Sequence, residues 1–284
     1  MILAADSEPS FSVVLAAYQA ADTIRDALTS VFTQTVLPRE VIVCDDGSTD
    51  DIDGALSPFS DLITVLRKPH GGEASAKNSA ARAASGDFVL ILRADDTFLP
   101  GRLEAMRELA CALPDLDILT TDAWLVAGDR RIRRCYTGDW PFEWVDQRRE
   151  ILRRNFIFGL AAVRRERLLA AGGFDESIRG TADWDLWIRL MLDGARGGAV
   201  LEPLAQHRVG RGALSLERVE EGRGAVQTLM RAQANPRLRP DDRPVLEASL
   251  RRHRRELRVL ERRQDLIAGA PTVREHSFSG ATGS

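Results

Sequence analysis

A chain of 284 residues can bury one sizeable core plus an appendage, because single cores stop growing at ~250–300 residues. Its 44% hydrophobic and 29% charged residues are those of an ordinary globular protein, and a net charge of −3 provides no global field for nucleic acid. Cys44, Cys111 and Cys135 lie far apart without C-x-x-C spacing, which argues against a disulfide framework or a zinc site and for reduced thiols in a cytoplasmic protein. The opening MILAADSEPS has neither a basic start nor a sustained apolar stretch, and no apolar run approaches the ~18–20 residues that span a bilayer. The expectation is a cytoplasmic chain, at most peripheral at the inner face of a membrane.

After a flexible stretch over residues 1–9, Phe11 to Ala17 is an apolar run suited to a buried strand. Thr23 to Gln34 follows as a helix with Ile24, Leu28, Val31 and Phe32 on one face and Asp22 as its N-cap. Glu40 to Cys44 (EVIVC) is β-rich and ends in the turn Asp45-Asp46-Gly47-Ser48, and Ile63 to Leu66 repeats the strand pattern. The alanine-rich segment Glu73 to Ala84 predicts a helix closed by Gly86. Phe88 to Leu92 predicts a strand, Pro100 to Leu113 a helix, and Asp117 to Val126 another strand. This β-α alternation implies an α/β fold, with a mainly parallel sheet covered by helices on both faces.

In such a sheet, ligands sit beyond the C-terminal ends of the strands. Tyr18 follows the first strand and Asp45-Asp46 the second; Gly71-Gly72 precedes the alanine-rich helix, and Asp95-Asp96 follows FVLIL. Each motif also has a plain reading. Asp and Gly are what a turn needs, two glycines are common punctuation at a helix start, and Asp95-Asp96 can simply open the turn into Thr97. Their shared position at strand ends is what makes them a candidate site. Two glycines at a helix start let a phosphate approach backbone N–H groups, and adjacent carboxylates suit a hard divalent cation. No G-x-G-x-x-G follows the first strand, so a nicotinamide-dinucleotide fold is poorly supported.

The stretches FSVVLAAY, TSVFTQT, EVIVCDDGSTD, HGGEASAKNSAARAASGDFVLILRADD, GGFDESIRGTADWDLWIRL and HRVGRGALS, in this order over roughly residues 10–215, resemble the family 2 glycosyltransferases of GT-A fold. That resemblance implies a Rossmann-like glycosyltransferase domain over 10–215, followed by a helical extension over 216–269 and a disordered tail over 270–284. It implies transfer of a sugar from a nucleotide-sugar donor to a glycan, lipid-linked or small-molecule acceptor, with inversion. Donor binding falls on Ala17, Tyr18, Asp46, Gly71, Lys77, Arg93, Ala94 and Asp95, with Tyr18 and Asp46 at the nucleoside. Asp95 would hold the Mg²⁺ or Mn²⁺ that bridges the donor diphosphate, with Asp96 as a further candidate, and Asp183 would be the catalytic base. Trp184 and Trp187 flank that carboxylate and can shield it from water, while Asp185, two positions on, faces another side of the helix. Asp183 can also be read as the N-cap of DWDLWIRLML.

The sequence departs from the family at three points. Arg93 stands where relatives carry the first Asp of a D-x-D signature, Ala182 replaces the Glu before the base, and Gly210 stands where a metal-binding His is usual. These departures predict weakened metal binding. They leave open a nucleotide-sugar-binding or scaffold protein that has lost transfer. Arg93, always protonated and planar, can partly replace the cation near the leaving group, or point into solvent. Trp140, Phe142 and Trp144 can wall an acceptor site or anchor their loop, and Arg130, Arg131, Arg133 and Arg134 read as a solvated rim or an acidic-acceptor contact.

Beyond residue 215 come a helix around Glu217 to Ala234, a linker bearing Pro236, Pro240 and Pro244, and a long final helix. There Leu246, Leu250, His253, Leu257, Leu260, Gln264 and Ile267 form a narrow stripe, with arginines covering the rest. Packing across its own domain, self-association and contact with anionic lipid are the readings, in that order.

Overall fold

The computed structural model describes residues 8–209 and 214–268. Gly210, residues 1–7 of the N-terminal stretch and the tail expected from 270 lie outside the described residues. In chain order the elements are β1 (Phe11–Ala17), α1 (Ile24–Phe32), β2 (Glu40–Asp45), α2 (Ile52–Leu56), β3 (Thr64–Arg67), α3 (Glu73–Ala83) and β4 (Phe88–Arg93). Next are β5 (Thr97–Phe98), α4 (Arg102–Ala112), β6 (Ile118–Ala127), β7 (Arg130–Arg134), α5 (Gln147–Arg153), β8 (Ala162–Arg164) and α6 (Arg165–Ala170). The chain continues through α7 (Ala182–Leu192), β9 (Gly197–Arg208), α8 (Leu214–Gln233) and α9 (Arg243–Ala268).

The strands form one sheet in the order β3-β2-β1-β4-β8-β6-β9-β5, with β7 paired to β6. β3, β2, β1 and β4 are parallel, β8 runs antiparallel to both β4 and β6, and β9 is again parallel to β6. The continuous apolar runs of β1 and β4 follow from burial on both faces. Along β1, Val13 and Leu15 join the core under α1 and α4, while Val14 faces the core shared with α3, α5 and α7. The register pairs Ala17 with Asp45, and Ala16 with Arg93, so the C-terminal ends of β1, β2 and β4 finish at one rim.

One local expectation fails. Asp22 is not the N-cap of α1; Thr23 occupies that place, and no side chain caps it. A turn closed on the Ala20 carbonyl, which accepts from Thr23 N at 3.1 Å and Ile24 N at 2.9 Å, shifts the helix start by one residue. The preceding Ala21 N–H is taken instead by Asp50 at 2.8 Å, from the loop after β2.

The C-terminal helices share the second core. Ala225, Leu229, Leu246 and Leu250 are buried with α5 and α7, the His253 ring lies 5.3 Å from that of Trp184, and Leu257 and Leu260 pack over Gly222 of α8. The narrow stripe of α9 is thus spent within the chain, as far as the described residues follow it; the Ile267 side chain lies beyond them. Arg254, Arg255, Arg258, Arg262 and Arg263 are exposed on the other side. Among the described residues no helix is long and apolar enough to cross a membrane. Leu250→Ala is expected to destabilise the whole domain by about 2–5 kcal/mol, as for a buried Leu truncated in a packed core. Urea unfolding that remains a single transition with a lower midpoint would bear this out, whereas separate loss of α9 helicity would not.

Candidate functional site at the strand ends

The rim is organised by Asp46, only 2% exposed at the end of β2. Its Oδ1 accepts from Lys68 Nζ at 2.6 Å and Gly71 N at 3.0 Å, its Oδ2 from Gly72 N at 2.7 Å, and His70 Nδ1 lies 2.9 Å from Oδ2. Burial works against ionisation, but the bonds from Lys68 and the two glycine N–H groups outweigh it and hold Asp46 below the ordinary carboxylate range. The Gly71 and Gly72 N–H groups that the sequence offers to a phosphate are therefore already engaged by Asp46. Gly72 has φ 92°, a left-handed conformation that favours glycine, and it turns the loop into α3.

That loop carries His70 onto Tyr18, which follows the buried Ala17 at the end of β1. The two rings stack at 4.1 Å between centroids and 30° between planes, and Tyr18 is 49% exposed, so the pair presents an aromatic surface at the rim. One turn into α3, Lys77 Nζ bonds Glu73 Oε1 at 2.6 Å and lies 5.4 Å from the Phe174 ring centroid. Lys77 holds Glu73 low, helped by the charges of Arg93 and His207.

At the end of β4, the Arg93 side chain is partly exposed yet pairs with the acidic turn that follows. Its guanidinium lies 3.1 Å from Asp95 Oδ2 and 3.8 Å from Asp96 Oδ2, and Ala94 between them is buried. Asp96, 1% exposed, is saturated by His207 Nδ1 at 2.9 Å and Arg208 N at 2.8 Å, and so ties β4 to the end of β9. Asp95 is the more open carboxylate, with burial pushing its pKa up against the pull of Arg93. Among the described residues no three His, Cys, Asp or Glu side chains converge to hold a metal ion. Asp95 nonetheless already binds a cation, the guanidinium. It fits a divalent ion that takes one protein carboxylate and fills its other positions with phosphate and water oxygens, as Mg²⁺ commonly does.

Asp183 lies in the first turn of α7 and feels the charges of Lys77 and Glu73. Thr181, not Asp183, is the N-cap, so the capping role read from sequence does not fall to Asp183. Asp183 Oδ1 accepts from Trp184 N at 2.8 Å, and Oδ2 lies 3.4 Å from Asn155 Nδ2. Gly159 runs so close that a Cβ there would stand 3.1 Å from Oδ2. Burial raises the Asp183 pKa, and Lys77 and the Trp184 N–H only partly offset it. Trp184 and Trp187 are buried behind it, Trp184 anchored through Nε1 to the Ile151 carbonyl at 2.7 Å. Asp185 turns away into the core, where it binds Arg189 at 2.7 Å; Arg189 in turn holds the Ala171 and Gly173 carbonyls. Trp140 and Trp144 are 44% and 48% exposed, whereas Phe142 between them anchors the loop against Phe156.

Residues 12–168 match the family described as Glycosyl transferase family 2. The chain belongs to glycosyltransferase family 2. Relatives of this family 2 chain include chondroitin synthase of Pasteurella multocida, 29% identical over 195 residues that cover 64% of this chain and 19% of that protein. The O-antigen biosynthesis protein RfbC of Myxococcus xanthus is 30% identical over 212 residues, 72% of this chain and 16% of its own. The chain thus spans under a fifth of these two relatives. Among solved structures, S. aureus TarS 1-349 superposes with a TM-score of 0.68 at 20% identity, covering 86% of this chain and 71% of that one. The mannosyltransferase PcManGT of Pyrobaculum calidifontis, in complex with GDP-Man and Mn²⁺, gives 0.66 at 22% identity, covering 94% and 77%. Both share the fold of this family 2 chain.

Reading by spacing alone missed Lys68, His70, Asn155 and His207. His70 and His207 stood in the quoted motifs; Lys68 and Asn155 carried no signal, because each acts only through a partner distant in sequence.

The two site carboxylates predict opposite effects on stability. Asp46 binds protons less readily folded than unfolded, so its contribution is present at neutral pH and is lost as pH falls through its lowered pKa. Asp46→Asn should cost about 1–3 kcal/mol at pH 7 and less in acid. Asp183 retains its proton to higher pH when folded, so stability falls as pH rises from the ordinary ~3.9 toward its raised value. Asp183→Asn should therefore leave Tm unchanged or raise it at pH 7. Thermal melts of both variants from pH 4 to 8 check the two signs.

Proposed function

We propose that this chain transfers a sugar from a nucleoside-diphosphate donor to a hydroxyl of a glycan, lipid-linked or small-molecule acceptor, with inversion, in polysaccharide biosynthesis. The observation that carries this reading is Asp183, a carboxylate whose pKa burial raises and which feels the charges of Lys77 and Glu73, while Glu73 in turn feels Arg93, the partner of Asp95. The structural neighbours described with UDP, UDP-GlcNAc and GDP-Man, and relatives named for chondroitin, O-antigen and succinoglycan synthesis, support it.

The Tyr18–His70 surface receives the donor base by stacking, and Asp46 fixes that surface through the 68–72 loop. The diphosphate lies toward Arg93 and Lys77, where two cations face its charge. Asp95 would hold Mg²⁺ or Mn²⁺, which would supply charge stabilisation of the leaving diphosphate. Asp183 takes the proton of the acceptor hydroxyl as that oxygen attacks the anomeric carbon. Its raised pKa makes it a stronger base than a free aspartate, and Asn155 and the Trp184 N–H hold its two oxygens in place. Attack on the face opposite the leaving group inverts the anomeric configuration.

A thermal-shift screen over UDP-, GDP-, dTDP- and CDP-sugars identifies the donor, because saturation at ~100 times the dissociation constant stabilises by ~2.7 kcal/mol. With the donor known, Asp183→Asn should lower transfer ~10²–10⁴-fold while donor binding stays close to wild type. Asp185→Asn should instead lower Tm and spare the rate per folded molecule, since its partner Arg189 is structural. The reverse pattern would move the base to Asp185. Peripheral membrane contact belongs to the same proposal: the outward arginines of α9 face anionic headgroups, and binding to anionic vesicles should fall steeply as salt rises.

A further inference from the structure

We propose that Arg93 is an internal cation that keeps Asp95 closed to divalent metal until a diphosphate draws it away, so that metal and nucleoside diphosphate enter the site as a pair. This rests on the reading of Asp95 as the metal carboxylate. Arg93 is the last residue of β4, in register with Ala16, and the turn that follows closes through Asp96 N on the Arg93 carbonyl at 3.1 Å. The tight turn brings the Arg93 and Asp95 side chains together, at 3.1 Å from Nη2 to Oδ2. Among the described residues Arg93 is the only side chain that bonds the Asp95 carboxylate. Asp96 shares the guanidinium at the longer distance of 3.8 Å, while its own oxygens bond His207 and the Arg208 N–H.

Two positive charges cannot share Asp95 cheaply. A divalent ion arriving alone must displace the guanidinium or sit beside it, and either course is opposed by like-charge repulsion in a partly buried setting. A diphosphate changes that balance. It carries more negative charge than Asp95 and presents paired oxygens that match the planar guanidinium fork. The Arg93 side chain is 44% exposed, so a phosphate entering from solvent can reach its guanidinium. The freed Asp95 then offers one oxygen ligand, and the diphosphate supplies those the protein lacks. Because each ligand favours the same open arrangement, their coupling is reciprocal: each tightens the other by the same factor.

The test measures Mn²⁺ binding to the full chain by electron paramagnetic resonance of free Mn²⁺, alone and with UDP, GDP or inorganic pyrophosphate. The same mixtures without protein give the complex that Mn²⁺ forms with each anion. Wild type should bind Mn²⁺ alone weakly, and at least tenfold more tightly with one of the three anions. Arg93→Ala and Arg93→Met, the latter retaining the packing of the stem, should bind Mn²⁺ alone at least tenfold more tightly than wild type and show a correspondingly smaller gain on adding the anion, what remains being the part owed to phosphate ligation. Asp95→Asn should abolish Mn²⁺ binding in every background. Unchanged or weaker Mn²⁺ affinity in the folded Arg93 variants overturns the proposal while leaving the metal role of Asp95 standing. Absence of Mn²⁺ binding in all forms, with or without anion, overturns both.

Discussion

Much of the rim hangs on the burial of the Asp46 carboxylate. A buried charge must be compensated, and Asp46 finds compensation only by drawing in Lys68, His70 and the N–H groups of Gly71 and Gly72. That requirement folds the loop between β3 and α3 onto the end of β2. The start of α3, the stacking of His70 on Tyr18 and the position of Lys77 one turn later all follow from it. Asp46, in the sequence motif DDGSTD, is thereby a tie that shapes the rim.

The same logic recurs at the neighbouring strand ends. Asp96 is fully buried and is satisfied by the end of β9, so it joins two strands that are distant in sequence. Asp50 reaches back to the turn before α1 and closes it. Three acidic residues that look interchangeable in sequence are thus structural ties, each to a different element. Asp95 and Asp183 are the exceptions. Both have raised pKa values, and neither has bonds enough to offset the cost of its own burial. Groups held at such a cost are where chemistry is expected to reside.

The helical extension is part of this arrangement. α9 packs its apolar stripe on α8 and reaches Trp184, the neighbour of Asp183, through His253. The packing around Trp184, the residue next to Asp183, is therefore built partly from residues far beyond the family match, which ends at residue 168. The loop between α5 and β8 meets the carboxylate itself, through Asn155 and Gly159 at Oδ2.

The sequence by itself determined the elements and the rim. The apolar runs at 11–17 and 88–92 could only be strands buried on both faces, and alternation with amphipathic helices required parallel strands, so Tyr18, Asp46 and Asp95 had to finish on the same side. It also exposed Arg93 as a cation at an acidic position. The tertiary structure alone decided what each polar group does there: that Asp46 occupies the glycine N–H groups, that Arg93 turns to Asp95, that Asp185 serves Arg189, and that Asp183 leaves the capping position to Thr181. The physical reason is range. Periodicity reflects burial, a local property that every residue of an element reports, whereas the partner of a buried charge is one residue, often tens of positions away, and no local pattern records the choice.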